Sequence, residues 1–339
     1  MDGRPTHARA FAHRGGGVRI ADTIVACDAA MGTELVFLSH APAFGVHARR
    51  ALPRLGGVRR QLLTTETTLA LLGPAGDRLK NHALPAGYGR PFSLGDLRLE
   101  MFPSGFMPGA ASLLCERRDG RRIAYAGPID AAGAEVRAAD ALCVDATFAG
   151  QGSGPSFPSR AQALEEVGRA VRAVLARGAS PVVLVDPVAI AVDVAAALAA
   201  DRIGLLAHRA IVQAAGAYRR AGIAAPALQR FAAKLDPGQA LIWPAPVRVP
   251  ARRAGARPFG AVLVSADAAA LLAGAETDAR VTFPTGADRA ALVRYIEATG
   301  ASEVALVNAP GEDLVATLRA RGVDAYTLGP PRQIELFAA

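Results

Sequence analysis

Three side chains able to bind metal or move protons stand at the ends of apolar runs. Asp28 follows the run Thr23 to Ala26, His40 closes Leu35-Val-Phe-Leu-Ser-His40, and Asp145 follows Ala141 to Val144. Carboxylate and imidazole are donors that zinc or manganese accepts, but two of them do not hold zinc against water. The competing reading is a hydrogen-bonded core pair of His40 and Asp28. Asp145 is then expected to cap the turn after its strand or to hold His40, and Asp288 to N-cap a helix. His47 and His82 read as surface or loop residues, and no spacing supports a metal site relocated onto them. Cys27, Cys115 and Cys143 are far apart, form no Cys-x-x-Cys pair and read as buried small hydrophobes. The sequence has no Gly-x-Ser-x-Gly elbow and no P-loop. Gly150, Gly152 and Gly154 lack the helix-opening dinucleotide fingerprint and read as a linker.

The elements that must position these residues change character along the chain. Residues 1–16 are basic and without periodicity, and read as a loose arm. From Val18 to Ala141 come short apolar runs separated by Gly, Pro and Asp, the pattern of strands and turns. Helices are expected at Ala48 to Leu55 and Glu66 to Leu72. After Gly150 the pattern alternates. Ser159 caps a helix carrying Leu164, Val167, Val171 and Val174 on one face, and Pro181 to Val185 is a buried strand. Helix, strand and helix follow at Ala189–Ala200, Ile203–Leu206 and His208–Ala221, a parallel-sheet signature. Pro244 to Pro258 is a Pro/Arg-rich loop, and the tail returns to strand and helix.

This order of elements, with the landmarks along it, resembles the metallo-β-lactamase fold carrying a β-CASP insertion. More narrowly, it resembles the short bacterial exonucleases associated with DNA ligases, relatives of messenger-RNA 3′-end processing nucleases. The resemblance covers about Val18 to Thr327. It implies an α/β fold: an αββα sandwich from residues 1–150 and 280–339, with a β-CASP-like α/β domain inserted at 151–279. The family's His-x-His-x-Asp-His motif reads His40-Ala41-Pro42-Ala43-Phe44-Gly45 here. Its Pro-x-Gly-His segment reads Pro103-Ser104-Gly105-Phe106, and its bridging Asp falls on Pro128 after Tyr125-Ala126-Gly127. The acidic β-CASP motif persists as Asp145-Ala146-Thr147-Phe148. The two later His positions are Gly286 and Ala309. Glycines and apolar frames remain while Pro42, Phe44, Gly45, Phe106, Pro128, Gly286 and Ala309 offer no side-chain lone pair. The resemblance therefore implies a catalytically degenerate homologue of metal-dependent DNA/RNA exonucleases. Asp28, His40 and Asp145 are its remnants, and no cofactor is expected. The alternative is an active hydrolase with a rebuilt or single-metal site using zinc or manganese.

Composition bounds the partners. The chain has 339 residues, 51% hydrophobic and 20% charged, which excludes a disordered, collagen-like or coiled-coil chain. No apolar run is long enough for a transmembrane helix, no secretory leader is evident, and the expected address is the cytoplasm without membrane attachment. The net charge is +8, and the basic residues are arginines except Lys80 and Lys234. A GC-rich genome and a phosphate-binding surface both produce that bias. Arg49 and Arg50, Arg117 and Arg118 about a hairpin turn at Asp119-Gly120, and Arg252 and Arg253 in the Pro-rich loop are the nucleic-acid-binding candidates. The expected partners are DNA or RNA. By family analogy they also include an active nuclease homologue, a ligase or a helicase.

Overall fold

The computed structural model describes residues 8–14, 16–29, 35–41, 61–130, 132–150, 157–186, 188–232, 234–245, 258–266 and 276–330. The chain divides into two compact units, residues 1–154 with 286–339 and residues 155–285.

In the first unit, β1 (Phe11–Arg14), β2 (Gly17–Ile20), β3 (Val25–Cys27), β4 (Leu35–Phe37), β5 (Gln61–Thr64) and β6 (Ala83–Pro85) form one sheet in chain order. Helices α1 (Glu66–Leu71) and α2 (Pro74–Leu79) connect β5 to β6. A second sheet holds β7 (Phe92–Leu94), β8 (Leu97–Pro103), β9 (Ala111–Glu116), β10 (Arg122–Gly127) and β11 (Ala141–Asp145). It is completed by β18 (Glu303–Val307) and β19 (Asp324–Leu328), in the order β19-β18-β11-β10-β9-β8-β7. Strands β3 to β6 run parallel, as do β10, β11, β18 and β19, so each group presents all its C-terminal ends at one edge.

Successive strand side chains point to opposite faces, and both faces are apolar here. Leu35, Phe37 and Leu63 meet Leu99, Met101, Leu113, Ile123, Tyr125 and Cys143 in a core between the two sheets. Their neighbours Val36, Leu38 and Leu62 pack on Leu69 of α1 and Leu79 of α2. On the other sheet, Leu114, Leu142, Val144, Val304 and Leu306 lie under two helices, α6 (Arg289–Thr299) and α7 (Asp313–Ala320), which contribute Leu292, Ile296, Leu314 and Leu318. Each fully buried Leu or Ile of these cores is worth about 1.5–3 kcal/mol. The unit is thus helix, sheet, sheet, helix. Cys27, Cys115 and Cys143 are all free and buried in the inter-sheet core.

The arm expected over residues 1–16 is corrected in part. Phe11–Arg14 pairs with β2, Phe11 is buried, and the Ala10 amide donates to Glu303 Oε1 at 2.8 Å. One apolar anchor in four residues leaves no period to read, and the ladder partner supplies the order.

The second unit is a parallel sheet in the order β14-β13-β15-β12-β16-β17. Helix α3 (Arg160–Ala176) starts at a capping box in which the Ser159 hydroxyl accepts from the Gln162 amide and the Gln162 side chain accepts from the Ser159 amide. Then come β12 (Ser180–Asp186), α4 (Ala191–Ala200), β13 (Gly204–Ala207), α5 (Arg209–Arg220), β14 (Gln229–Arg230), β15 (Gln239–Pro244), β16 (Phe259–Ser265) and β17 (Ala279–Thr282). Val167, Val171, Val174, Val194, Leu198 and Ile211 of the three helices cover one face of the sheet over Val183, Val185, Ile242, Val262 and Val264. The other face carries Val182, Leu206, Leu241 and Trp243, with Phe231 and Leu235. Strand β17 pairs with β16, which carries this unit past residue 279 to Thr285. Strand β15 has no counterpart in the sequence reading. It ends on Pro244, at the start of the stretch read as loop.

Among the described residues, no helix is long and apolar enough to cross a membrane.

Candidate functional site

The C-terminal edges of β3, β4, β10, β11 and β18 meet at one end of the sandwich and carry the polar residues singled out above. Asp28 follows β3 with φ +49°, a conformation that short polar side chains tolerate. Its amide donates to the Phe37 carbonyl at 2.8 Å, so the carboxylate turns toward the end of β4. Oδ1 accepts from the Ser39 amide at 2.8 Å. Oδ2 accepts from the Ser39 hydroxyl at 2.6 Å and from the Tyr125 hydroxyl at 2.8 Å. The Ser39 oxygen also lies 2.8 Å from His40 Nδ1.

The donors order this chain. With the Ser39 hydroxyl given to Asp28, its oxygen accepts from His40 Nδ1–H, and the neutral ring keeps its lone pair on Nε2. Ser39 therefore sits between the histidine and the carboxylate. A nucleophilic triad places the histidine in the middle and leaves the hydroxyl free to attack. This arrangement gives that hydroxyl away. His40 and Asp28 are thus joined through Ser39 and not as the direct pair expected from sequence.

Apolar groups close the surroundings. The His40 ring meets the buried Phe106 ring edge-on, centroids 5.0 Å apart. Burial lowers the His40 pKa below its ordinary value, while the charges of Asp28 and Asp145 act in the opposite sense. Burial pushes the Tyr125 hydroxyl well up, and the adjacent Asp28 adds to that. Gly127 has φ +62°, and a Cβ there would stand 3.2 Å from Ser39 Oγ, which gives the glycine that ends β10 a packing reason. A Cβ on Gly286 would lie 2.9 Å from the Phe148 ring.

Asp145, ending β11, accepts from the Thr147 amide at 2.9 Å and from Asn308 Nδ2 at 2.6 Å. It caps its turn as expected. Its side-chain partner is Asn308, which follows β18 at φ +56°, in place of His40. Asp288 caps α6 by accepting from the Ala291 amide at 2.8 Å. Among the described residues, no group of three or more His, Cys, Asp or Glu side chains is placed to hold one metal ion.

The arginine candidates do not gather here. Arg117 and Arg118 lie in the β9–β10 hairpin, at the opposite end of β10 from Gly127, roughly 17 Å away at 3.3–3.4 Å per residue. Carboxylates meet them there: Arg117 lies 3.5 Å from Asp22 and 3.3 Å from Asp119, and Arg118 lies 4.0 Å from Asp96. Arg121 of the same hairpin donates at 2.8 Å to the buried Glu303. Arg49, Arg50, Arg252 and Arg253 lie outside the described residues, as do His47, Pro42, Phe44 and Gly45.

Sequence reasoning missed Ser39, Tyr125 and Asn308 as partners. Ser39 was legible as the neighbour of His40, and Tyr125 as an inward residue two before Gly127. The pairing of Asn308 with Asp145 depends on β11 and β18 lying side by side, which no local pattern carries.

No family model matches the chain. Over 288 residues it is 24% identical to a protein of Opitutus terrae named "Probable DNA ligase", an alignment covering 81% of this chain. The chain spans 28% of that protein's length. Its fold is similar to that of a crystal structure of a protein of unknown function from Enterococcus faecalis V583, with TM-score 0.53 and 14% sequence identity, covering 80% of this chain and 74% of that one.

Proposed function

We propose that this chain is a metallo-β-lactamase/β-CASP scaffold that has lost its two-metal centre and acts in nucleic-acid processing by binding rather than by hydrolysis. The observation that carries the reading is the state of the Asp28 carboxylate, which is occupied by three donors from Ser39 and Tyr125. A two-zinc centre needs free carboxylate and imidazole lone pairs converging on ions about 3.5–4 Å apart. The residues present do not fit such a centre. Phe106 packs against His40, Phe148 lies where a side chain on Gly286 would start, and Pro128 and Ala309 have no donor.

The four-layer first unit and the parallel-sheet second unit support the scaffold part of the reading. The similarity to part of a protein named as a DNA ligase supports the nucleic-acid part, with DNA or RNA as ligand and an active nuclease, ligase or helicase as the larger assembly. The net charge of +8 favours a polyanionic partner.

The test is a nuclease assay on single- and double-stranded DNA and RNA with zinc or manganese, run beside metal analysis of the purified protein and its His40→Ala variant. The expected result is no metal-dependent degradation and sub-stoichiometric metal in both proteins. Degradation abolished in His40→Ala, with stoichiometric metal in the parent alone, would establish a rebuilt active site instead.

A further inference from the structure

The second unit has its own polar cluster at the C-terminal edge of its sheet. His208 follows β13 directly and caps α5: its Nδ1 accepts from the Ala210 amide at 3.2 Å. An Nδ1 that accepts carries no proton, so in the neutral ring the proton is on Nε2 and that atom is a donor. The ring is held edge-on to Trp243 at 4.5 Å between centroids, and Trp243 is braced by Phe231 at 6.1 Å. Two exposed arginines flank it. Arg209 is the next residue in the chain, and Arg230 ends β14 opposite Ala207 in the ladder. Both act on the His208 ring electrostatically. Among the described residues neither forms an ion pair, in contrast to Arg172 with Asp201 and Arg177 with Asp278 in the same unit. Asp186 ends β12, with β15 between it and β13.

We infer that Arg209, Arg230 and the Nε2–H of His208 bind the phosphodiester backbone of a single nucleic-acid strand, an assignment that rests on the nucleic-acid reading above. The three groups act as donors only, two are permanently charged, and they lie about the adjoining C-terminal ends of β13 and β14, Arg209 in the first turn of α5. That set suits phosphate oxygens and carries no base-reading geometry, so binding tolerates any sequence. Strand β15 lies between β12 and β13, and the chain later crosses β12 to reach β16. The order therefore reverses at β12 and β15, the position where parallel sheets take ligands beyond their C-terminal ends. Arg230 ends β14 and Arg209 opens α5 beyond β13, the strand next to β15 in the sheet.

Trp243 is the chain's single tryptophan and reports on the site directly. Binding of a short fluorescein-labelled oligothymidylate and the matching oligouridylate is measured by anisotropy at several salt concentrations. The proteins are the full chain, Arg209→Ala/Arg230→Ala and Arg117→Ala/Arg118→Ala. The expected result is binding by the parent at low salt and at least about ten-fold weaker binding by the first double variant. The slope of log K against log salt should fall by about 1.4 for two lost single-strand phosphate contacts. The hairpin variant keeps parental affinity, and Trp243 emission responds to oligonucleotide in the parent but not in the first variant. Parental affinity in Arg209→Ala/Arg230→Ala, or equal losses in both double variants, would overturn this site while leaving nucleic-acid binding intact. No binding by the parent at low salt would overturn both. Arg209→Gln/Arg230→Gln, which keeps side-chain bulk, replaces the alanine pair should that pair not give the parental thermal melt.

Discussion

His40 and His208 occupy comparable positions in the two units, just beyond the C-terminal end of a parallel strand, and burial lowers the pKa of both. Their neighbours are opposite. His40 lies among carboxylates, is tied through Ser39 to Asp28 and is covered by Phe106. His208 lies among arginines, is tied to a backbone amide and is backed by Trp243. The first arrangement commits the Asp28 carboxylate and the Ser39 hydroxyl to partners inside the unit. The second directs its charge outward. The same residue type at the same kind of strand end is thus structural in one unit and a ligand candidate in the other, and its partners make the difference.

The comparison breaks first at Asp28. Asp28→Ala leaves the Ser39 amide, the Ser39 hydroxyl and the Tyr125 hydroxyl without their acceptor. The expected cost is about 3 kcal/mol or more, read as a lowered urea midpoint. A loss below about 0.5 kcal/mol would mean that this end of the sandwich is not held by that network.

A smaller effect is expected at the other histidine. His208→Ala removes the cap of α5 and should cost about 1 kcal/mol, whereas His208→Asn retains an acceptor and should stay close to the parent. Thermal melts of the two variants distinguish capping from bulk, because the shorter Asn also gives up the Trp243 contact. Equal losses in both would assign the stabilisation to the ring contact.

Acid should act on both histidines in the same direction. Each has a folded-state pKa below its ordinary value of 6.5, so between those values the unfolded chain binds more protons than the folded one. Stability present above pH 6.5 is lost as pH falls through that window. Urea midpoints measured downward from neutral pH should decline there, and His208→Asn should flatten part of the decline. A pH-independent midpoint across the window would remove both histidines from the account.

The smallest effect belongs to the hairpin. Arg118 is 85% exposed and its nearest carboxylate, on Asp96, is 4.0 Å away and 78% exposed. Arg118→Ala should therefore shift stability by less than about 0.5 kcal/mol in a chemical melt. A larger loss would show that this end of the sandwich depends on its surface arginines.

Much of the chain's element pattern is decided by local sequence. The runs Leu97 to Phe102, Arg122 to Tyr125 and Ala141 to Val144 are strands within a residue or two, because alternating or continuous apolar side chains bury on one or both faces whatever lies opposite. Ser159 and Asp288 cap the helices that follow them, since a cap needs only its own next three residues. That Phe106, Pro128, Gly286 and Ala309 carry no metal-donating side chain is likewise a property of the residues themselves. Partnership is different in kind. That Tyr125 reaches Asp28, 97 residues away in sequence, follows from the two sheets facing each other. That Arg117 faces Asp22 at the far end of the sandwich follows from the direction of β10. That Arg230 stands beside His208 follows from the pairing of β14 with β13. A residue's chemistry is carried by its type, but hydrogen bonds and charge pairs act over a few ångströms, and only the folded chain brings distant residues within that range.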